Sequence, residues 1–223
     1  MKVDELSIGM TTAPRRRPTL HHAVRSLREA GFHERLHLFC EPGSPRSPVD
    51  GRLTRHANRS RLGCFGNWDR ALGHLLRHES AGWLMIVQDD AIWSPGAASI
   101  LRAEIAGRRA QRIGFLSPYV TEKDVSDGFV EGWNLYEGGW NLWGALALCM
   151  PRDAALDLVR HGRYASHPGP NAIDAVVAAS MLDLGRPSLV RVPSLVDHVG
   201  ETSTIGHDDV AGGLRGHRFG QVA

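Results

Sequence analysis

Cysteine is scarce in this 223-residue chain: Cys40, Cys64 and Cys149 are odd in number and have no metal-ligand spacing. That argues against a disulfide framework or a cysteine-built zinc module. Two of the three close apolar, strand-like runs, so they read as buried thiols in a reducing compartment. Long apolar runs are missing as well, and none approaches the ~20 residues of a membrane span. The opening decapeptide MKVDELSIGM has no apolar signal region, so the expected location is cytoplasmic. Charge of one sign is also lacking: 26 basic residues face 24 acidic ones, a net charge of +2. No general affinity for polyanions follows, and nucleic acid is not an expected partner. Arg15-Arg16-Arg17 and Arg108-Arg109 read as solvated faces or local anion sites. Internal repeats and low-complexity segments are absent.

What is present is ordinary globular composition, 42% hydrophobic and 22% charged, with length for a sizeable core in one domain. The stretch WLMIVQDDAIWSP, Trp83 to Pro95, organises the rest. Its run Trp83-Leu84-Met85-Ile86-Val87 is short, bulky and continuous, the pattern of a strand buried on both faces of a parallel sheet. Gln88, Asp89 and Asp90 follow at the carboxyl end, where open α/β sheets bind ligands. Adjacent carboxylates there repel and lose solvation unless a cation or proton compensates them. A hard divalent ion is the simplest compensator, because it takes oxygen ligands and shares them with phosphates. An acidic surface turn is the plainer reading of the same residues.

Along the chain, Leu6, Ile8 and Met10 alternate with small residues, giving a first strand that ends at Thr11-Thr12-Ala13-Pro14. Thr19 starts a helix with the stripe Leu20, Val24 and Leu27, closed by Gly31. RLHLFC, Arg35 to Cys40, is a second strand, completing a right-handed βαβ beginning. Val49 to Gly66 is polar and basic and reads as a loop-rich connection. Phe65, Trp68, Leu72 and Leu75 fall at helical spacing, and another helix follows Pro95. Ile113 to Leu116 forms a further strand. Residues 121–144 interleave five glycines with Trp133, Tyr136, Trp140 and Trp143. Such a segment is either an aromatic-lined pocket or a packed hairpin. Ala145 to Met150 is strand-like, Pro151 starts a helix, and Asn171 caps another with Asp174 in its first turn and off its apolar stripe. Ser188 to Val192 is the last strand. From Glu201 onward the tail is polar and glycine-rich and reads as mobile unless a ligand orders it.

Four segments in this order resemble glycosyltransferases of the GT-A fold. They are SIGMTTAPRRRPTLHHAVRSLREAGF, WLMIVQDDAIWSPG, GGWNLWGALALCMPRDAA, and NAIDAVVAASMLDLGR with PSLVDHVGETSTIG. The resemblance implies an α/β fold, a Rossmann-like, mostly parallel central sheet flanked by helices, with the glycine- and aromatic-rich segment on the acceptor side. It implies a nucleotide-binding half over 1–116, an acceptor-binding half over 117–200 and a tail over 201–223. By position, Asp90 matches the metal-binding carboxylate and Asp89 its neighbour in the motif. Gln88 stands where many members have an acid that contacts the donor's ribose; an amide can hydrogen-bond a hydroxyl but brings no charge. His198 matches the late histidine of the metal or diphosphate site, and Asp174 the base of inverting members. Thr11, Ala13 and Arg17 fall where the opening loop holds the nucleotide, and Trp140 and Trp143 where an acceptor sugar would stack.

The function implied is metal-dependent, inverting transfer of a sugar from a nucleotide sugar, UDP-sugar favoured, to a hydroxyl of a glycan, lipid, peptide or small molecule. A carboxylate, an imidazole and phosphates suit Mn²⁺, or Mg²⁺. Two other readings compete. A nucleotidyltransferase that makes nucleotide sugars would carry a glycine-rich loop after the first strand, where this chain has TTAPRRRP. A non-catalytic nucleotide-sugar- or glycan-binding domain would tolerate Gln88 in place of an acid. His207-Asp208-Asp209 in the tail is a further candidate ligand set, ranked below Asp90 and His198 because no regular element holds it.

Overall fold

The computed structural model describes residues 2–46, 51–108, 111–125, 128–139, 142–167, 172–199 and 215–221, with backbone alone for residues 2 and 3. Their order is β1 (Lys2–Thr12), α1 (Leu20–Glu29), β2 (Leu36–Cys40), β3 (Leu53–Ala57), α2 (Gly63–His78), β4 (Ala81–Gln88), β5 (Ala91–Trp93) and α3 (Ala97–Gly107). There follow β6 (Leu116–Ser117), β7 (Gly132–Tyr136), β8 (Ala147–Pro151), α4 (Arg152–Arg160), α5 (Gly162–Ala165), α6 (Ile173–Asp183), β9 (Ser188–Val192) and β10 (Val196–His198).

Eight strands form one mixed sheet in the order β3-β2-β1-β4-β8-β6-β9-β7. Four neighbouring pairs are parallel and three antiparallel. The period-2 alternation of side chains splits each strand between two apolar layers. On one face Leu6, Ile8, Met10, Trp83, Met85 and Val87 pack with α1 and α3. On the other, Leu84, Ile86, Leu148 and Met150 pack with α2, α4 and α6. The continuous apolar run of β4 is thereby accounted for, since both of its faces are covered. α6 is buried nearly all round, through Val176, Val177, Ala178, Ala179, Ser180 and Met181.

Several expectations change. The stretch read as a loop-rich connection contains β3, which pairs with β2 from Leu36↔Leu53 to Cys40↔Ala57. Its polar sequence LTRHA hides it, because an edge strand needs backbone pairing but little burial. Of the strand expected over Ile113 to Leu116 only Leu116 lies in β6, which continues to Ser117. The glycine- and aromatic-rich segment is not a hairpin: β7 pairs antiparallel with β9 and forms the sheet's far edge. Thr19 is the residue before α1, but its side chain makes no capping bond. Residues 215–221, assigned to a mobile tail, dock on the body: His217 N–H donates to Val120 O at 2.7 Å and Ser194 N–H to His217 O at 2.9 Å. Asn171 and the His207-Asp208-Asp209 cluster lie outside the described residues. Among the described residues no helix is long and apolar enough to cross a membrane.

Leu148 is fully buried in β8, pairs with Ile86 of β4 and packs in the α2–α4–α6 layer. Leu148→Ala is expected to lower unfolding free energy by ~2–5 kcal/mol through lost transfer energy and a residual cavity. Leu135→Ala, at a half-exposed position of β7, should stay within ~0.5 kcal/mol. Urea unfolding of the two variants against the parent checks both.

Candidate active site

The parallel strands β1 and β4 run side by side to Thr11↔Gln88, so the loops that leave them emerge together. From β1 comes the proline-punctuated TTAPRRRP; from β4 comes Asp89-Asp90. Both carboxylates are buried, at 2% and 8% exposure, which would be costly without a counter-charge. Arg15 supplies it. Its Nη2 lies 2.7 Å from Asp89 Oδ1 and its Nη1 3.1 Å from Asp90 Oδ2, while Nε–H donates to Asp89 Oδ1 at 2.9 Å. Thr12 Oγ1 donates to Asp89 Oδ2 at 2.5 Å. Asp89 is therefore bonded through both oxygens. Asp90 Oδ1, by contrast, is buried without a hydrogen-bond partner.

A second, two-stranded sheet brings the chain's end to the same place. β5 pairs antiparallel with β10, His198 opposite Ala91, and Val199 N–H donates to Asp90 O at 2.7 Å. His198 Nδ1 consequently stands 3.5 Å from Asp90 Oδ2. Asp197 Oδ1 accepts from His198 N–H at 2.8 Å and from Gly216 N–H at 2.9 Å, tying β10 to the docked residues 215–221. Burial is the largest influence on both carboxyls and pushes each up. For Asp89 burial prevails over Arg15 and Thr12, and its affinity for a proton is raised. For Asp90, His198 and Arg15 outweigh burial, and the group sits below the usual carboxylate range.

The remaining expected residue, Asp174, is linked to this cluster through the segment before β8. Its Oδ2 accepts from Gly144 N–H at 2.5 Å and its Oδ1 from Ala175 N–H at 3.0 Å. Gly144 has φ +95°, and a Cβ there would lie 2.5 Å from Tyr119 Cε1, so only glycine lets this amide reach the carboxylate. The Tyr119 ring meets His198 edge-on at 5.4 Å between centroids. The partly buried Cys64 thiol, at the start of α2, is raised to about 11, first by burial and then by Asp174, Asp90 and Asp89 against Arg15. Asp174 and the acidic pair are thus both near enough to Cys64 to bear on its thiol.

The other expected residues divide. Thr11 and Ala13 are half-buried beside the cleft; Arg17 is exposed. The arginine that reaches the carboxylates is Arg15, two residues earlier. Neither it nor Thr12, the last residue of β1, stands out in the sequence, because no periodicity marks which side chains turn inward where a strand gives way to a loop. Gln88 spends its side-chain N–H on Ala145 O of the neighbouring segment, at 3.1 Å. Trp143 is 41% exposed, with Lys123 Nζ 4.7 Å from its ring centroid and its N–H bonded to Asp124 Oδ1 at 3.0 Å. That N–H is the backbone one, and with Lys123 over one face the exposed indole has its other face as the candidate for stacking. Trp140 lies outside the described residues.

The chemistry of the donor set suits a hard divalent cation. Asp90 offers one buried oxygen with no partner, and His198 sets an imidazole nitrogen 3.5 Å from the other oxygen of the same carboxylate.

The mixed sheet and the acidic turn at the end of its fourth strand define a GT-A-type α/β fold, and solved structures share it. The crystal structure of GalNAc-T7 with UDP, GalNAc and Mn²⁺ matches at TM-score 0.62 and 11% identity, over 87% of this chain and 43% of that chain. The mannosyltransferase PcManGT from Pyrobaculum calidifontis, in complex with GDP-Man and Mn²⁺, matches at TM-score 0.51 and 13% identity, over 83% and 56%. This chain thus spans about half the length of the structures it matches. At such identities the likeness is one of fold. No family model and no curated protein matches the chain.

Removing Arg15 leaves two buried like charges face to face. Arg15→Met is expected to cost ~3–5 kcal/mol of stability, the range for breaking a buried ion pair from one side. Urea unfolding in the presence of a chelator measures it; a midpoint equal to the parent's would mean that the pair does not depend on this arginine.

Proposed function

We propose that this protein is a divalent-metal-dependent glycosyltransferase that moves a sugar from a nucleoside-diphosphate sugar, UDP-sugar favoured, to an acceptor hydroxyl with inversion. The observation that carries the reading is the buried, partnerless Asp90 Oδ1 next to His198, at the carboxyl end of β4 in a GT-A-type fold. The matched structures hold UDP or GDP-Man together with Mn²⁺. In this reading residues 1–116 bind the donor and 117–200 the acceptor, within a single domain that includes the tail.

Cleaving the anomeric carbon–oxygen bond builds negative charge on the departing diphosphate. Asp90 and His198 would hold Mn²⁺ or Mg²⁺, which supplies Lewis-acid neutralisation of that charge. Arg15 adds a fixed positive charge at the same end of the cleft, already oriented by both aspartates. Thr11, Ala13, Gln88 and Asp89 line the donor side, and Asp89 shapes it through Thr12 and Arg15. Asp174, held in one orientation by the amides of Gly144 and Ala175, takes the acceptor hydroxyl's proton as the oxygen attacks. Attack from the face opposite the leaving group inverts the centre. Trp143 offers a ring face to an acceptor sugar, and Trp140, outside the described residues, is the second candidate for that role.

One observation favours a second reading, binding of a nucleotide sugar without turnover: Arg15 reaches both carboxylates, so the acidic pair has a counter-charge within the protein itself. The two separate in one series. UDP, GDP, CDP and dTDP are screened by thermal shift with and without Mn²⁺, and hydrolysis and transfer are then assayed with the matching sugar donor. Transferase function predicts stabilisation by one diphosphate that requires the ion and is lost in Asp90→Ala. It also predicts a kcat lower by about 100- to 10,000-fold in Asp174→Asn with donor KM little changed. Metal-independent binding with no turnover would establish the second reading instead.

A further inference from the structure

Four of the chain's 12 histidines gather apart from the acidic pair, on β2, β3 and α2. His37 and His56 share the α2-facing side of the sheet, because His56 stands opposite Phe39 and His37 two residues before it. His74, one turn before the end of α2, closes over them. The rings form a column: Phe39 stacks on His56 at 4.8 Å, His56 meets His74 at 4.2 Å, and His74 meets His78 at 4.5 Å. One nitrogen each from His37, His56 and His74 lies within 4.8 Å of the others.

The proton positions follow from the partners. His37 Nε2 is 3.0 Å from Glu79 Oε1, and an ionised carboxylate only accepts, so Nε2 carries the proton. In a neutral ring Nδ1 is then a lone pair, and it points at His56 Nε2 at 3.1 Å. A ring nitrogen with its lone pair toward neighbouring imidazoles, and its opposite N–H on a carboxylate, is the arrangement that orients a histidine ligand on a metal. Burial, aided by nearby positive charges, keeps the rings neutral. Burial first, then the mutual repulsion of the histidines with Arg77, lowers His74 to about 4. Burial outweighs Glu79 at His37, where Arg35 and His78 also oppose a proton, and burial with His37, Arg70 and His78 lowers His56. All three rings are therefore neutral at pH 7, each with one lone pair to offer a metal.

We propose that His37 Nδ1, His56 Nε2 and a ring nitrogen of His74 form a binding site for a divalent transition-metal cation of the zinc class, with Glu79 orienting His37. Tetrahedral zinc–imidazole bonds of ~2.0–2.1 Å set ligand nitrogens ~3.3 Å apart. The His37–His56 pair already has that spacing, and His74, half-exposed on a helix surface, reaches it by rotation of its side chain. Three imidazoles leave a fourth position for water or for His78. The metal fastens β3, the thinly covered edge strand, to β2 and to the carboxyl-terminal half of α2. It is a different ion in a different place from the one proposed at Asp90, where oxygen ligands favour a harder cation.

The test uses the full chain, stripped with a chelator and then loaded with Mn²⁺ and UDP so that the acidic cleft is saturated. Zn²⁺ alone is titrated by calorimetry and by thermal unfolding. One saturable equivalent that raises the melting temperature is expected. It should be abolished in His56→Ala and in His74→Ala, weakened about 10- to 100-fold in Glu79→Gln, and retained in Asp90→Ala. Should the histidine variants fold poorly, Co²⁺ on the parent protein gives a second readout: visible bands of tetrahedral intensity that Zn²⁺ displaces. Absence of saturable Zn²⁺ binding, six-coordinate Co²⁺ spectra, or a zinc site that survives both histidine variants or disappears with Asp90 would each overturn the proposal. The column would then be a stacked imidazole cluster only.

Discussion

Two carboxylates held side by side with almost no water around them set the terms for the rest of this molecule. The strand that ends at Gln88 is covered on both faces, so Asp89 and Asp90 emerge from the apolar interior and not at an open surface. Charge in such a place must be answered within hydrogen-bonding distance. Arg15 answers it from one side and His198 from another, and those two contacts dictate where the loop after β1 and the strand β10 run. Much of the cleft's wall is thus arranged by electrostatics, while the sheet beneath is arranged by burial.

The answer is uneven. Asp89 has both oxygens occupied and acts as a fixed post for Thr12 and Arg15. Asp90 keeps one buried oxygen without a partner, at a cost of ~1–3 kcal/mol for an unmet polar group. An orphaned atom of that kind is tolerable if a ligand meets it, and its place at the end of the central strand is where α/β sheets put ligands. The same economy of contacts appears across the cleft, where Asp174 accepts the Gly144 amide and the Tyr119 ring fills the space that a side chain at Gly144 would take. Tyr119 then touches His198, so the base candidate and the metal candidates are braced by one aromatic ring.

At the opposite edge of the sheet the physical problem is different. β3 is polar, exposed and held chiefly by its ladder to β2, and an edge strand of that sort has little apolar contact to fix it against α2. Imidazoles stacked between strand and helix supply packing area. Their lone pairs supply something packing does not need, which is why a cation belongs in the account of that edge.

By itself the sequence determined the frame. The bulk and continuity of Trp83 to Val87 specified a doubly covered strand, the alternation Leu6-Ile8-Met10 a first strand, and helical spacing the helices around them, because burial imposes periods of 2 and 3.6 that survive in linear order. It also singled out Asp89 and Asp90 by their place at the end of the doubly covered strand, and Asp174 and His198 through the resemblance to GT-A glycosyltransferases. Where periodicity is absent the chain kept silent. LTRHA did not announce an edge strand, since ladder hydrogen bonds are made by backbone that every residue carries. Nothing distinguished Arg15 from Arg17, since which guanidinium turns inward depends on a loop's path over strands far along the chain. The antiparallel pairing of β10 with β5, the docking of residues 215–221, and the meeting of His37, His56 and His74 were likewise decided only by tertiary structure. Each joins residues whose proximity is a property of the folded sheet and of no local pattern.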